Sequence, residues 1–154
     1  IMANLSRMHA IVGPVIFKYH ATLERFTGDG LMCIVGAPND IPKHAQEALL
    51  MAQEMRQAYM NAQKVSPETI PLQLSIGIST GIATTGAIGF EGRLDYAAIG
   101  SVTNMASRLC SIAEPNEILL SEFTHGQLDN DHDVTFKDEQ TLKGFSSPVK
   151  FYHS

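Results

Sequence analysis

The chain has 154 residues, 44% of them hydrophobic and 18% charged, enough for one soluble domain that builds its own core without metal or disulfide staples. A formal net charge of −5, with eleven scattered basic residues, excludes a nucleic-acid surface, and no apolar run approaches the ~18–20 residues of a membrane span. The two cysteines, Cys33 and Cys110, sit in apolar runs and suggest no disulfide framework, so a reducing, cytoplasmic setting is expected, with membrane anchoring left open for a longer parent.

The opening Ile1-Met2-Ala3-Asn4 lacks the basic and apolar regions of a signal peptide and enters a helical pattern abruptly, as expected of a piece of a longer chain. Residues 5–19 place Met8, Ile11, Val12, Val15 and Ile16 at helical spacing, interrupted by Gly13-Pro14. Thr22 to Phe26 and Leu31 to Val35 flank Gly28-Asp29-Gly30, a hairpin signal. From Pro42 to about Gln63, a stripe of Ala45, Ala48, Leu49, Ala52, Met55 and Tyr59 predicts a long helix. Leu72, Leu74, Ile76 and Ile78 alternate with polar or small residues, which predicts a strand, and Ile82 to Ile88 reads as its hairpin partner. Residues 89–95 read as a loop or arm. Ser101 is a candidate N-cap for a helix over 102–113. Strands follow at Glu117 to Leu120, near 133–137 and near 148–152. Interleaved helices and hairpins predict a single α+β domain over residues 1–154, with a largely antiparallel sheet and helices on one face.

Three groups of polar residues stand out. Asp29 at a hairpin tip suits a hard divalent cation, although aspartate equally serves a turn through its backbone hydrogen bonds. Asn104 and Arg108, four apart, share a helix face distinct from that of Met105, Leu109 and Ile112, and could meet a sugar oxygen and a phosphate or simply face solvent. Lys143, before Gly144, could reach a phosphate as a point charge or remain a surface lysine. The glycines at 81, 86 and 89 do not form a P-loop, and the six histidines show no zinc spacing.

Motifs in order give these residues more weight. Phe26-Thr27-Gly28-Asp29-Gly30-Leu31-Met32 with Val35-Gly36-Ala37-Pro38, then Ile76-Gly77-Ile78-Ser79-Thr80-Gly81, then the run from Arg93 through Asp95-Tyr96 and Ile99-Gly100 to Asn104 and Arg108-Leu109, then Glu114-Pro115-Asn116-Glu117-Ile118-Leu119-Leu120-Ser121, and finally Leu142-Lys143-Gly144, resemble the catalytic domain of class III adenylyl and guanylyl cyclases from about residue 5 to 152. The resemblance implies a ferredoxin-like β-α-β-β-α-β core and a head-to-tail homodimer with shared active sites. It implies conversion of a nucleoside triphosphate to a 3′,5′-cyclic nucleotide plus pyrophosphate, with two Mg²⁺ or Mn²⁺ ions per site. By the same resemblance Asp29 is a metal ligand, Asn104 orients the ribose, Arg108 stabilises charge at the α-phosphate, and Lys143 holds the terminal phosphates.

Three departures from the family pattern matter. The opening strand, which carries the other metal aspartate, has no counterpart, and Asp29 is the first aspartate in the chain. These 154 residues are therefore expected to form an incomplete domain with weak activity of its own. Arg25 stands at the purine-selecting position; it can donate to adenine N1 or to guanine O6, but it is not the glutamate of guanylyl cyclases. Ala97 stands where adenylyl cyclases offer a side chain to the adenine amino group. ATP is expected ahead of GTP. The alternative is a catalytically degenerate cyclase-like module that dimerises or binds nucleotide without turnover. A palm-type relative such as a diguanylate cyclase is the third class, disfavoured by the Asn104/Arg108 helix.

Overall fold

A computed structural model describes residues 2–27, 30–65, 73–81, 84–88, 95–99 and 101–154. Helix α1 (Met2–Lys18) leads into a hairpin of β1 (Thr22–Thr27) and β2 (Gly30–Ile34), followed by α2 (His44–Val65). The helix runs through Pro14, which faces outward, while Met8, Val12, Val15 and Ile16 are buried against Met51, Met55 and Tyr59 of α2. Packing of that stripe outweighs the backbone bond that proline removes. Lys18 Nζ and Tyr19 Oη both meet Glu54 Oε1, at 2.6 and 3.2 Å, and fasten the end of α1 to α2.

The remaining elements are β3 (Ile76–Ile78), β4 (Thr84–Ile88), β5 (Asp95–Ile99), α3 (Ser101–Ile112), β6 (Ile118–Ser121), α4 (Glu122–Gly126), β7 (Thr135–Gln140) and β8 (Val149–His153). The expected pairing of Ile82 to Ile88 with the strand before it is corrected here. β4 pairs antiparallel with β5, whereas β3 pairs in parallel with β6, Ile76 opposite Ile118 and Ile78 opposite Leu120. A short hairpin cannot join parallel strands, so the β4–β5 arm and α3 together make the crossover. β5 overlaps the stretch read as a loop only at Asp95, and no strand was expected over 96–99.

The larger sheet has the order β3-β6-β8-β7, antiparallel except at β3–β6. Its central strand β6 is buried throughout, and its side chains alternate between two apolar layers. Ile118 and Leu120 pack with Leu49 and Ala52 of α2. Leu119 packs with Leu109 of α3, Leu142 and Phe151. The mixed α+β class therefore stands, with the helices divided between the two faces of this sheet rather than gathered on one. Each fully buried leucine or isoleucine here contributes about 1.5–3 kcal/mol. At the end of the strands, Thr124 is fully buried and its Oγ1 lies 2.8 Å from both Thr80 Oγ1 and Ser121 Oγ, which pins α4 to the end of β3.

A charged clamp holds the turn between α3 and β6. Glu117, with a side chain 9% exposed, accepts from the Glu114 N–H at 2.9 Å and meets Lys137 Nζ at 2.9 Å and His153 Nδ1 at 3.1 Å. Burial alone would raise the Glu117 carboxyl, but the Glu114 N–H, the Lys137 ammonium and His153 together hold it below its ordinary value. A depressed carboxylate adds stability above the unfolded-state pKa and loses it as pH falls through the folded-state value. Glu117→Gln is therefore expected to cost about 1–3 kcal/mol at pH 7. The difference from wild type should shrink at pH 3, as denaturant unfolding at the two pH values will show.

Candidate functional site

Helix α3 carries the central pair. Met105 and Leu109 turn toward the sheet, with Leu109 fully buried. Asn104 is exposed and Arg108 half-buried, one turn apart on the side of the helix away from β3. The two share one side of the helix, as their spacing predicted.

Lys143 is held by a turn. The Phe145 N–H donates to the Leu142 carbonyl at 3.0 Å, and Gly144 adopts φ +91°. A left-handed residue at the third position of a four-residue turn favours glycine, and Lys143 at the second position is left exposed. Leu142 is buried in the Leu109 cluster, and Phe145 and Met105 pack against it. The turn bearing Lys143 and the helix bearing Asn104 and Arg108 are thus anchored in one apolar layer, on one face of the sheet. Leu142-Lys143-Gly144 was legible as a turn, but only the fold puts it on the α3 side.

The other candidates are placed less fully. Arg25 lies in β1 opposite Met32, just after an irregularity that inserts Glu24 between the residues facing Cys33 and Met32. Nothing in the sequence marked this shift of register. Ala97 lies in β5 opposite Gly86 and four residues before α3 begins. Asp29 falls outside the described residues; the pairing of Thr27 with Gly30 agrees with the predicted hairpin around it. Among the described residues, no group of three or more His, Cys, Asp or Glu is placed to hold a metal ion, and no helix is long and apolar enough to cross a membrane. Cys33, largely buried, has its thiol pushed up to about 12, which makes it a poor nucleophile.

Beneath the start of α3 lies a cleft of about 340 Å³, walled by Val102, Met105, Phe123 and Phe145, with Thr80 and Lys150 at its polar side. It opens on the side of α3 that carries Val102 and Met105, not on the Asn104/Arg108 side.

The family model for the adenylate and guanylate cyclase catalytic domain matches residues 2–153. The chain is 29% identical over 150 residues to the uncharacterized protein Rv1319c of Mycobacterium tuberculosis, covering 95% of this chain and 27% of that protein. To Rv1318c of the same organism it is 33% identical over 119 residues, covering 76% and 21%. The chain thus spans about a quarter of the length of the curated relatives it matches. Among solved structures, the adenylyl cyclase CyaB from P. aeruginosa superposes with a TM-score of 0.84 at 32% identity, over 99% of this chain and 80% of that one. The guanylyl cyclase Cya2 gives 0.86 at 27% identity, over 99% and 78%. The guanylate cyclase domain of RhGC from Catenaria anguillulae, solved with GTP, gives 0.86 over 99% and 81%; at 22% identity it speaks for the fold alone.

Proposed function

The chain belongs to the adenylate and guanylate cyclase catalytic-domain family, and on that premise we propose that its parent protein converts ATP, in preference to GTP, to the 3′,5′-cyclic nucleotide and pyrophosphate for intracellular signalling. The observation that carries this reading is the α3 face, where Asn104 and Arg108 stand together away from a fully buried Leu109.

The chemistry is an in-line displacement. The ribose 3′-oxygen attacks the α-phosphorus, the bond to the α–β bridging oxygen breaks, pyrophosphate departs, and the 3′-hydroxyl proton is released. Asn104 hydrogen-bonds a ribose oxygen and so orients the attacking group. Arg108 presents a planar fork of N–H donors to the α-phosphate oxygens, where charge grows in the transition state. Lys143 meets the terminal phosphates as a compact charge. Two copies of the chain pair head to tail, one supplying Asn104, Arg108 and Lys143 and the other Asp29.

Asp29 is the carboxylate assigned to a divalent cation, Mg²⁺ or Mn²⁺. Asp29 lies outside the described residues, and among those described no group of three or more His, Cys, Asp or Glu is placed to hold a metal ion. Two such ions per site are expected in the full-length protein, and no step is assigned to them.

Arg25 supports the choice of ATP. A guanidinium donates to adenine N1 and can also donate to guanine O6, but unlike the glutamate of guanylyl cyclases it accepts nothing from the guanine N–H groups. Ala97 adds no side-chain hydrogen bond to either base, so a modest preference is expected. Product analysis of the full-length protein, with ATP and GTP in parallel, tests both levels of the reading. A several-fold excess of cyclic AMP over cyclic GMP is the expected result. Equal yields would overturn the base preference. Binding without any cyclic product would overturn the catalytic reading and favour the nucleotide-binding module.

A further inference from the structure

We propose that Gly77 is a positioning residue that sets the depth at which α3 lies on β3, and thereby the stance of Asn104 and Arg108; this rests on the function proposed above. One ridge of α3 follows the strand. Val102 Cγ2 comes within 3.5 Å of where a Cβ on Gly81 would stand. At Gly77, an added Cβ would overlap the Ala106 carbonyl oxygen and stand 2.5 Å from the Cys110 nitrogen and 3.0 Å from Leu109 Cβ. Farther along, Cys110 Sγ donates to the Ser75 carbonyl at 3.4 Å, and Ser75 Oγ donates to the Glu114 carbonyl at 3.0 Å. Residues 102, 106 and 110 recur every four positions, so one face of α3 rides the segment from Ser75 to Gly81, and Glu114 just past the helix extends the contact.

The atoms facing Gly77 are mostly helix backbone, and no flexible side-chain end can swing aside. The strand cannot retreat either. Gly77 is paired with Leu119 in β6, and its neighbours Ile76 and Ile78 pack with the layer of α2 on the far side of the sheet. A side chain at 77 must therefore lift α3. At 100° per residue, Asn104 and Arg108 each lie about 160° around the helix from Ala106. Lifting α3 off β3 therefore displaces the pair outward, away from the sheet. A displacement of about 1 Å is enough to cost roughly 10²-fold in rate at a preorganised site.

Gly77→Ala and the matched Gly81→Ala, made in the full-length protein, test the idea. The second adds the same methyl to the same helix–strand contact but meets Val102 at ordinary van der Waals distance. Gly77→Ala should lower kcat by roughly 10²-fold with KM for the nucleotide changed less than about threefold, and Gly81→Ala should stay within about twofold on both. Crystal structures of the two variants should show α3 shifted by about 1 Å in the first and unmoved in the second. That readout stands even when the wild type makes no cyclic nucleotide, a result that would sink the proposed function alone. An unshifted α3 in Gly77→Ala, or equal losses in both variants, would overturn the positioning role. Should Gly77→Ala fail to fold, Ser75→Ala removes the bond to the Glu114 carbonyl without adding an atom. It should lower kcat a few-fold with KM unchanged, and an unaltered kcat would overturn the proposal.

Discussion

Arg108→Ala in the full-length protein should lower kcat by about 10²–10³-fold while KM for the nucleotide moves far less. The asymmetry follows from where charge appears. In the ground state the triphosphate charge is concentrated toward the terminal phosphates, which Lys143 is assigned to meet. In the transition state it builds at the α-phosphate oxygens, which Arg108 is assigned to meet. Arg108→Lys should recover only part of the loss, because an ammonium cannot form two parallel bonds to one phosphate. The substitution leaves the buried side of α3 intact, since Leu109 and Met105 make the contacts with Leu119, Leu142 and Phe151. Folding should therefore be preserved, and steady-state kinetics will report on chemistry. An Arg108→Ala enzyme with wild-type kcat would remove Arg108 from the mechanism.

Asp29→Ala should abolish turnover at any concentration of Mg²⁺ or Mn²⁺, because a hard cation loses its assigned charged oxygen ligand. This variant also tests the shared site. In a head-to-tail dimer, Asp29→Ala and Arg108→Ala damage opposite sides of each site. Random mixing of the two inactive chains makes about half the dimers mixed, each with one intact site of two, so activity should return to about one quarter of wild type. No recovery on co-expression would mean that each site draws Asp29 and Arg108 from one chain.

Much of the site could be read from order and spacing. Asn104 and Arg108 are four apart in a strongly amphipathic segment, and a helix converts that spacing into a shared face whatever surrounds it. Leu142-Lys143-Gly144 announced a turn because glycine tolerates the left-handed backbone at 144. Other features were hidden for equally physical reasons. The alternation from Leu72 to Ile78 signalled a strand but not its partner, since a half-buried strand looks alike beside a parallel or an antiparallel neighbour. The bulge at Glu24 leaves no mark in composition. Gly77 reads as one more small residue in a strand until the helix backbone lying on it is seen.

The sequence by itself determined the family, the α+β class, the hairpin around Asp29 and the helix face bearing Asn104 and Arg108. These are local or ordered properties, carried by periodicity, turn chemistry and motif succession along the chain. Only the tertiary structure decided that β3 joins β6 in parallel, that α2 and α3 cover opposite faces of the β6 sheet, and that Lys143 shares an apolar layer with α3. Those are choices of partner between segments far apart in the chain. They are settled by which apolar faces bury one another best, and at Gly77 by how closely two backbones can approach.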